Sequence, residues 1–192
     1  MIKKIAVTGG IGSGKSTVIN LLKEAGYNVL SCDNITAELY QKRKVKLLLK
    51  KMFPTAVKGY FLPRVDRKII SAAVFNNKQK LDELTAAITP LVMKEVERRC
   101  KKLNGVVFVE VPLLFECGYQ DRFDAVWIVM RDKTKRIEGV KARSGLTEKQ
   151  ITARINSQVD YDKLDLSPYV IIHNVKNFDA LKDTVLAYAE NL

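Results

Sequence analysis

The segment Gly9 to Ser16 reads Gly-Gly-Ile-Gly-Ser-Gly-Lys-Ser and matches the spacing G-x-x-x-x-G-K-[ST]. Each residue type in that spacing has a task. Glycines let the backbone turn its N–H groups inward around phosphate oxygens, and the N-terminus of a following helix adds positive partial charge. The predicted cradle runs through Gly10, Ile11, Gly12, Ser13, Gly14, Lys15, Ser16 and Thr17. Lys15 is placed to reach the β- and γ-phosphates of a nucleoside triphosphate, and the Ser16 hydroxyl to ligate Mg²⁺. A dinucleotide fingerprint is excluded locally, because Lys15 stands where G-x-G-x-x-G, counted from Gly10, needs its last glycine.

A triphosphate site serves kinases, motors and switches alike, so residues beyond the loop decide the chemistry. Asp33 follows the apolar run Val29–Cys32, on the carboxyl edge of the sheet where open α/β folds bind ligands. An acceptor hydroxyl there needs such a carboxylate to orient it and take its proton as the bond to phosphorus forms. Capping a helix that starts at Asn34 is the alternative, and the two roles are compatible. Glu110 lies inside the apolar stretch Val106–Pro112, where an unpaired charge is costly. Its expected partner is Mg²⁺ through water, or Lys15, with a purely structural ion pair as the competing reading.

The elements that must position these residues are visible as apolar runs at Ile5–Thr8, Val29–Cys32, Val106–Val111, Ala125–Met130 and Val170–Ile172. They read as buried strands. Between the first two, Val18, Leu21, Leu22 and Ala25 recur at helical spacing and Gly26 stops the helix, giving one βαβ unit and implying a parallel sheet. From Ile35 to Leu103 the pattern turns helical, and Thr89-Pro90 reads there as a helix start, threonine capping and proline at the first position. Lys133–Asn156 is a second helical segment, rich in charge and broken at Ser144-Gly145. Phe178, Leu181, Val185 and Tyr188 mark a C-terminal helix behind Asn177 or Asp179. The expected fold is therefore α/β: a P-loop NTPase-type parallel five-stranded sheet flanked by helices, built from 1–34, 104–132 and 157–192. A helical insertion occupies 35–103, and a small helical excursion 133–156.

Lysine and arginine number 33 against 21 acidic residues, a net charge of +12 that favours polyanionic partners. No aromatic interleaving or RNA-binding motif accompanies the charge, which argues against nucleic acid. Three cysteines without C-x-x-C spacing and a single histidine argue against a zinc site or a disulfide framework. No stretch approaches 18 apolar residues and the N-terminus has no cleavable leader pattern, so the expectation is a cytoplasmic protein with no membrane partner.

Taken together, these residues resemble the dephospho-coenzyme A kinase family. The match is carried by Thr8–Thr17, by Asp33, by Val111-Pro-Leu-Leu-Phe-Glu116, and by Arg143-Ser-Gly-Leu-Thr with Arg154-Ile-Asn-Ser-Gln158. Val170-Ile-Ile-His-Asn174 is similar to the family's closing strand, and Asp66-Arg67 with Val74-Phe75 to its helical domain. The resemblance implies an ATP-dependent phosphorylation of the ribose 3′-hydroxyl of dephospho-coenzyme A, with ATP and Mg²⁺ as cofactors. It implies Asp33 as catalytic base, Lys15 and Ser16 on ATP and Mg²⁺, and Arg143 as a lid arginine, with 35–103 binding the coenzyme and 133–156 forming the lid. Three positions depart from the family. Ser31-Cys-Asp33 replaces Asp-x-Asp, Thr89-Pro90 replaces His-Pro, and Gly139 stands where a lid arginine is common, with Arg136 near enough to substitute.

Competing readings are another small-molecule P-loop kinase, acting on a nucleoside or nucleoside monophosphate, and a non-catalytic nucleotide switch or nucleic-acid-associated factor. The basic tract Lys42–Lys51 alternates with an apolar stripe, as a solvated helix face does, and could also attract the substrate's pyrophosphate. Arg67 reads as a substrate contact or a helix cap. His173 reads as a structural residue, Cys32 as a small buried hydrophobe and Trp127 as sheet packing.

Overall fold

The computed structural model describes residues 2–59, 63–75, 77–175 and 177–192. Of the expectations above, those for 60–62 and 76 in the insertion and for 1 and 176 in the core lie outside the described residues. The chain divides into two compact units, Met1–Ser31 with Cys100–Leu192, and Cys32–Arg99.

The first unit opens with β1 (Lys3–Thr8), α1 (Lys15–Glu24) and β2 (Asn28–Ser31). The second follows as α2 (Cys32–Leu39), α3 (Arg43–Met52), the two-residue strands β3 (Val57–Lys58) and β4 (Arg64–Val65), α4 (Arg67–Phe75) and α5 (Lys78–Cys100). The chain then returns to the first unit with β5 (Val106–Glu110), β6 (Ala125–Met130), α6 (Lys133–Ser144) and α7 (Glu148–Asn156). It ends with β7 (Val170–His173) and α8 (Phe178–Glu190).

In the first unit the five strands lie in the order β2-β5-β1-β6-β7, and every neighbouring pair is parallel. β1 sits in the centre, with β5 on one side of it and β6 on the other. That reversal of strand order opens a crevice at the carboxyl end of β1, where the glycine loop begins. The strands read as continuous apolar runs because both faces are covered. On one face Ile5, Val7, Phe108, Trp127, Val129 and Ile172 pack with Val18, Leu21 and Leu22 of α1 and with Leu181, Val185 and Ala189 of α8. Trp127 does pack the sheet: it is fully buried, 4.9 Å from the Phe108 ring and 6.1 Å from that of Tyr188. Among the described residues no helix is long and apolar enough to cross a membrane.

The termini of α1 explain its placement. Gly14 takes a left-handed conformation, φ +99°, and turns the loop into the helix. At the other end Gly26, at φ +88°, closes a Schellman motif in which Tyr27 N donates to Leu22 O and Gly26 N to Lys23 O. Asn177 caps α8 through bonds from Asp179 N and Ala180 N.

The second unit is mainly helical, with Ile35, Leu39, Val45, Leu49, Phe53 and Val96 buried. Three sequence expectations are corrected here. Thr89-Pro90 does not start a helix, since α5 runs unbroken from Lys78 to Cys100 with Pro90 inside it. Ile88, Val92, Met93 and Val96 are all buried, and that continuous burial outweighs the one backbone bond proline cannot make. The pattern was also not wholly helical: β3 and β4 form an antiparallel pair, too short to show alternation in sequence. Asp66, rather than Arg67, supplies the cap of α4, accepting from Lys68 N and Ile69 N.

Candidate active site

The loop between β1 and α1 is a tight nest. Ser13 N donates to Gly10 O at 3.1 Å, and Thr17 N and Val18 N both donate to Gly14 O. Lys15 folds back along the loop, its ammonium donating to Gly9 O at 2.7 Å and Gly10 O at 3.1 Å. The loop's carbonyls thus hold the lysine beside the backbone N–H groups that suit phosphate. Ser16 is exposed at the start of α1, and Thr17 is partly buried.

The glycines answer close approach as well as conformation. A Cβ on Gly14 would lie 2.0 Å from Asn174 Nδ2, one on Gly12 2.6 Å from Arg136 O, and one on Gly10 2.2 Å from Arg136 Nη2. The loop is therefore clamped from outside. Ile11 N donates to Gln158 Oε1 at 2.7 Å, Arg136 Nε donates to Ile11 O at 2.9 Å, and Asn174 Nδ2 donates to Ser13 O at 2.8 Å. Asn174 is itself fixed by its N–H to Met130 O, at the end of β6. Under the loop, Tyr161 OH lies 3.4 Å from Thr8 Oγ1. Burial pushes the Tyr161 phenol up to about 12, so it remains a neutral hydroxyl. Burial also lowers the pKa of Arg136, though a guanidinium stays charged in proteins. Among these clamps, Arg136 was singled out by spacing. Gln158 and Asn174 lie in motif blocks without an assigned role, and Tyr161 carried no sequence signal.

A cavity of about 710 Å³ opens beside the loop, lined by Gly10, Ser13, Arg131, Arg136, Gln158 and Tyr161 among others. It falls within the range of small-molecule sites. Ser13 Oγ is buried at its edge with no hydrogen-bond partner among the described residues, a hydroxyl that a ligand oxygen would satisfy.

Glu110 ends β5 in register with Ser31 of β2 and Val7 of β1. Ser31 Oγ donates to Glu110 Oε2 at 3.1 Å, a partner the sequence did not suggest. The departure from Asp-x-Asp thus replaces a carboxylate by a hydroxyl donor to the strand acid. Ser16 and Glu110 offer a hydroxyl and a carboxylate, and no group of three or more metal-ligating side chains exists among the described residues. A hydroxyl and a carboxylate are hard oxygen donors of the kind Mg²⁺ takes when it keeps waters and phosphates in its shell.

Asp33 is the second residue of α2, exposed, two positions after β2 ends. Arg143 is exposed in the last turn of α6, seven residues from Arg136 and so on the same helix face. Gly139 lies between them on that face, and a Cβ there would be 3.2 Å from Arg131 Nη1. The α6–α7 segment buries Val140 and Ile151, and a capping box at Thr147 and Gln150 starts its second helix.

The family model for dephospho-CoA kinase matches residues 3–179. The dephospho-CoA kinase of Thermus thermophilus is 33% identical over 189 residues, covering 98% of this chain and 91% of the relative. That of Dehalococcoides mccartyi is 32% identical over 197 residues, covering 98% and 97%. A solved Thermus thermophilus structure superposes with TM-score 0.83 at 32% identity, covering 99% of this chain and 97% of that one. A deoxyadenosine kinase from M. mycoides, at TM-score 0.57 and 13% identity, shares the fold over 97% of this chain and 99% of that one.

Proposed function

The chain belongs to the dephospho-CoA kinase family, and on that footing we propose how its residues divide one task. The task is moving the γ-phosphoryl group of ATP to the ribose 3′-hydroxyl of dephospho-coenzyme A, the last step of coenzyme A synthesis. The observation that carries this reading is the glycine loop clamped by Gln158, Arg136 and Asn174, with Lys15 folded along it and a cavity at its side.

Backbone N–H groups of Gly12, Gly14, Lys15 and Ser16 and the N-terminus of α1 bind the β- and γ-phosphates of ATP. Lys15 exchanges its bonds to Gly9 O and Gly10 O for phosphate oxygens, a trade of neutral acceptors for charged ones that strengthens each bond. Asp33 orients the 3′-hydroxyl and accepts its proton as oxygen attacks phosphorus. Arg143, with Arg136 on the same face of α6, offsets charge on the phosphoryl group in flight. Ser16 and Glu110 would hold Mg²⁺, which when bound would supply positive charge against the triphosphate. Residues 35–103 take the coenzyme end of the acceptor. Closure of 133–156 excludes the water that would otherwise hydrolyse ATP. The reading places the enzyme in the cytoplasm, where both substrates are dissolved metabolites.

The test is incubation of the purified protein with Mg²⁺ and ATP, offering dephospho-coenzyme A, a nucleoside or a nucleoside monophosphate in parallel, with products read by mass spectrometry. One phosphate added to dephospho-coenzyme A alone is expected. Preferential phosphorylation of a nucleoside or its monophosphate, or ATP binding without any product, would overturn the reading.

A further inference from the structure

A second cavity, of about 560 Å³, lies wholly within the unit Cys32–Arg99 and shares no lining residue with the one beside the glycine loop. Its floor is aliphatic: Leu39 and Val45 are buried, Leu48 is partly buried, and Leu91 is 37% exposed. Around that floor stand Lys42, Arg43, Lys44, Lys94 and Arg98, with Glu95 as the one carboxylate. Glu95 is already paired, accepting from Arg98 at 2.7 Å and Arg99 at 3.0 Å with Lys42 at 4.0 Å. The rim thus sets five cations against one carboxylate, whose partners on it are Lys42 and Arg98, and its net charge is positive.

An aliphatic trough edged by cations selects for a molecule with two unlike ends. A purely polar anion would leave Leu48 and Leu91 in contact with water, and a neutral hydrocarbon would ignore the rim. The pantetheine arm of the substrate is a poorer match, because it is uncharged along its length and would carry two amides past an aliphatic floor that offers them no hydrogen bonds. We propose that this groove of α2, α3 and α5 binds a single-chain anionic amphiphile, a fatty carboxylate with its chain along Leu39, Val45, Leu48 and Leu91 and its head among Arg43, Lys44 and Lys94. Lysine and arginine stems extend the apolar wall while their charged heads stay in water at the rim.

The full chain is titrated calorimetrically with octanoate, decanoate and dodecanoate below their micelle thresholds, alongside dodecyl phosphate, inorganic phosphate and anionic phospholipid vesicles. One site is expected, tightening about tenfold for each two methylenes added. Dodecyl phosphate is expected to bind and inorganic phosphate is not. Leu91→Asp and Lys94→Glu, both at exposed positions, are each expected to weaken dodecanoate at least about tenfold, with thermal unfolding confirming that both variants are folded. Affinity independent of chain length, equal binding of inorganic phosphate, or unchanged affinity in the folded variants would overturn the proposal. So would vesicle binding without binding of monomeric dodecanoate, or a dimer that Leu91→Asp dissociates in a protein that binds no dodecanoate.

Discussion

Arg136 Nε donates to the carbonyl oxygen of Ile11 at 2.9 Å, joining α6 to the tip of a loop 125 residues earlier in the chain. The bond links the segment proposed to close over ATP with the backbone proposed to hold its phosphates, so one side chain serves both loop geometry and local charge. Arg136→Ala is expected to lower kcat/KM for ATP about 10- to 100-fold, the worth of a hydrogen bond to a charged donor. Arg136→Lys keeps the charge without the guanidinium's directed donors and is expected to recover only part of that loss. Steady-state kinetics on variants with unchanged unfolding temperature provide the check.

Gly10 and Gly14 separate the two uses of glycine in the loop. Gly14→Ala adds a Cβ at φ +99° and 2.0 Å from Asn174 Nδ2, so it is expected to destabilise the fold by about 1–3 kcal/mol and abolish ATP binding. At Gly10 the Cβ meets only the far end of Arg136, 2.2 Å from Nη2. Gly10→Ala is therefore expected to leave stability nearly unchanged while weakening ATP. Gly10→Ala with Arg136→Ala is expected to show less than the sum of the two losses, because the second change removes the atom the first collides with. Denaturant titration and ATP titration of the three variants measure both effects.

What the sequence disclosed was local. The glycine loop, its strand and helix, and the five strands are each written in contiguous residues, so Val7, Val109 and Ile128 were recognisable as buried positions without knowing their neighbours. The clamp was less legible. Gln158 and Asn174 reach Ile11 and Ser13 across 147 and 161 residues, and no local pattern announces a side chain aimed at a distant backbone atom. Pro90 misled for the opposite reason: its local preference is strong, but burial of Ile88, Val92 and Met93 along one face of α5 overrides it. Glu110 was legible as an acid needing a partner, whereas Ser31 as that partner required the register of β2 against β5.

Glu95 makes stability depend on acid. The hydrogen bonds from Arg98, joined by the one from Arg99, hold its carboxyl at about 2 against burial, below the 4.5 of an unperturbed glutamate. A depressed carboxylate contributes stability that is complete above about 4.5 and is lost as the pH falls towards 2. With the Arg98 side chain more than half exposed, the contribution is discounted to on the order of 1–2 kcal/mol. Urea unfolding between pH 5 and pH 2 is expected to show a steeper loss for wild type than for Glu95→Gln. Parallel curves would remove Glu95 from the acid response.

The proposed division of labour stands most directly on Asp33, the exposed carboxylate in the first turn of α2. Removing a proton acceptor that binds no part of ATP should cost turnover without costing nucleotide affinity. The decisive measurement is phosphate transfer from ATP to dephospho-coenzyme A by Asp33→Ala, read by mass spectrometry beside an ATP titration of the same protein. The expected result is a fall in kcat of at least about 100-fold, the lower end of general-base contributions, with ATP affinity within about twofold of wild type. Near wild-type turnover would contradict the assignment of Asp33 as base, and loss of ATP binding in a folded variant would move the residue into the nucleotide site instead.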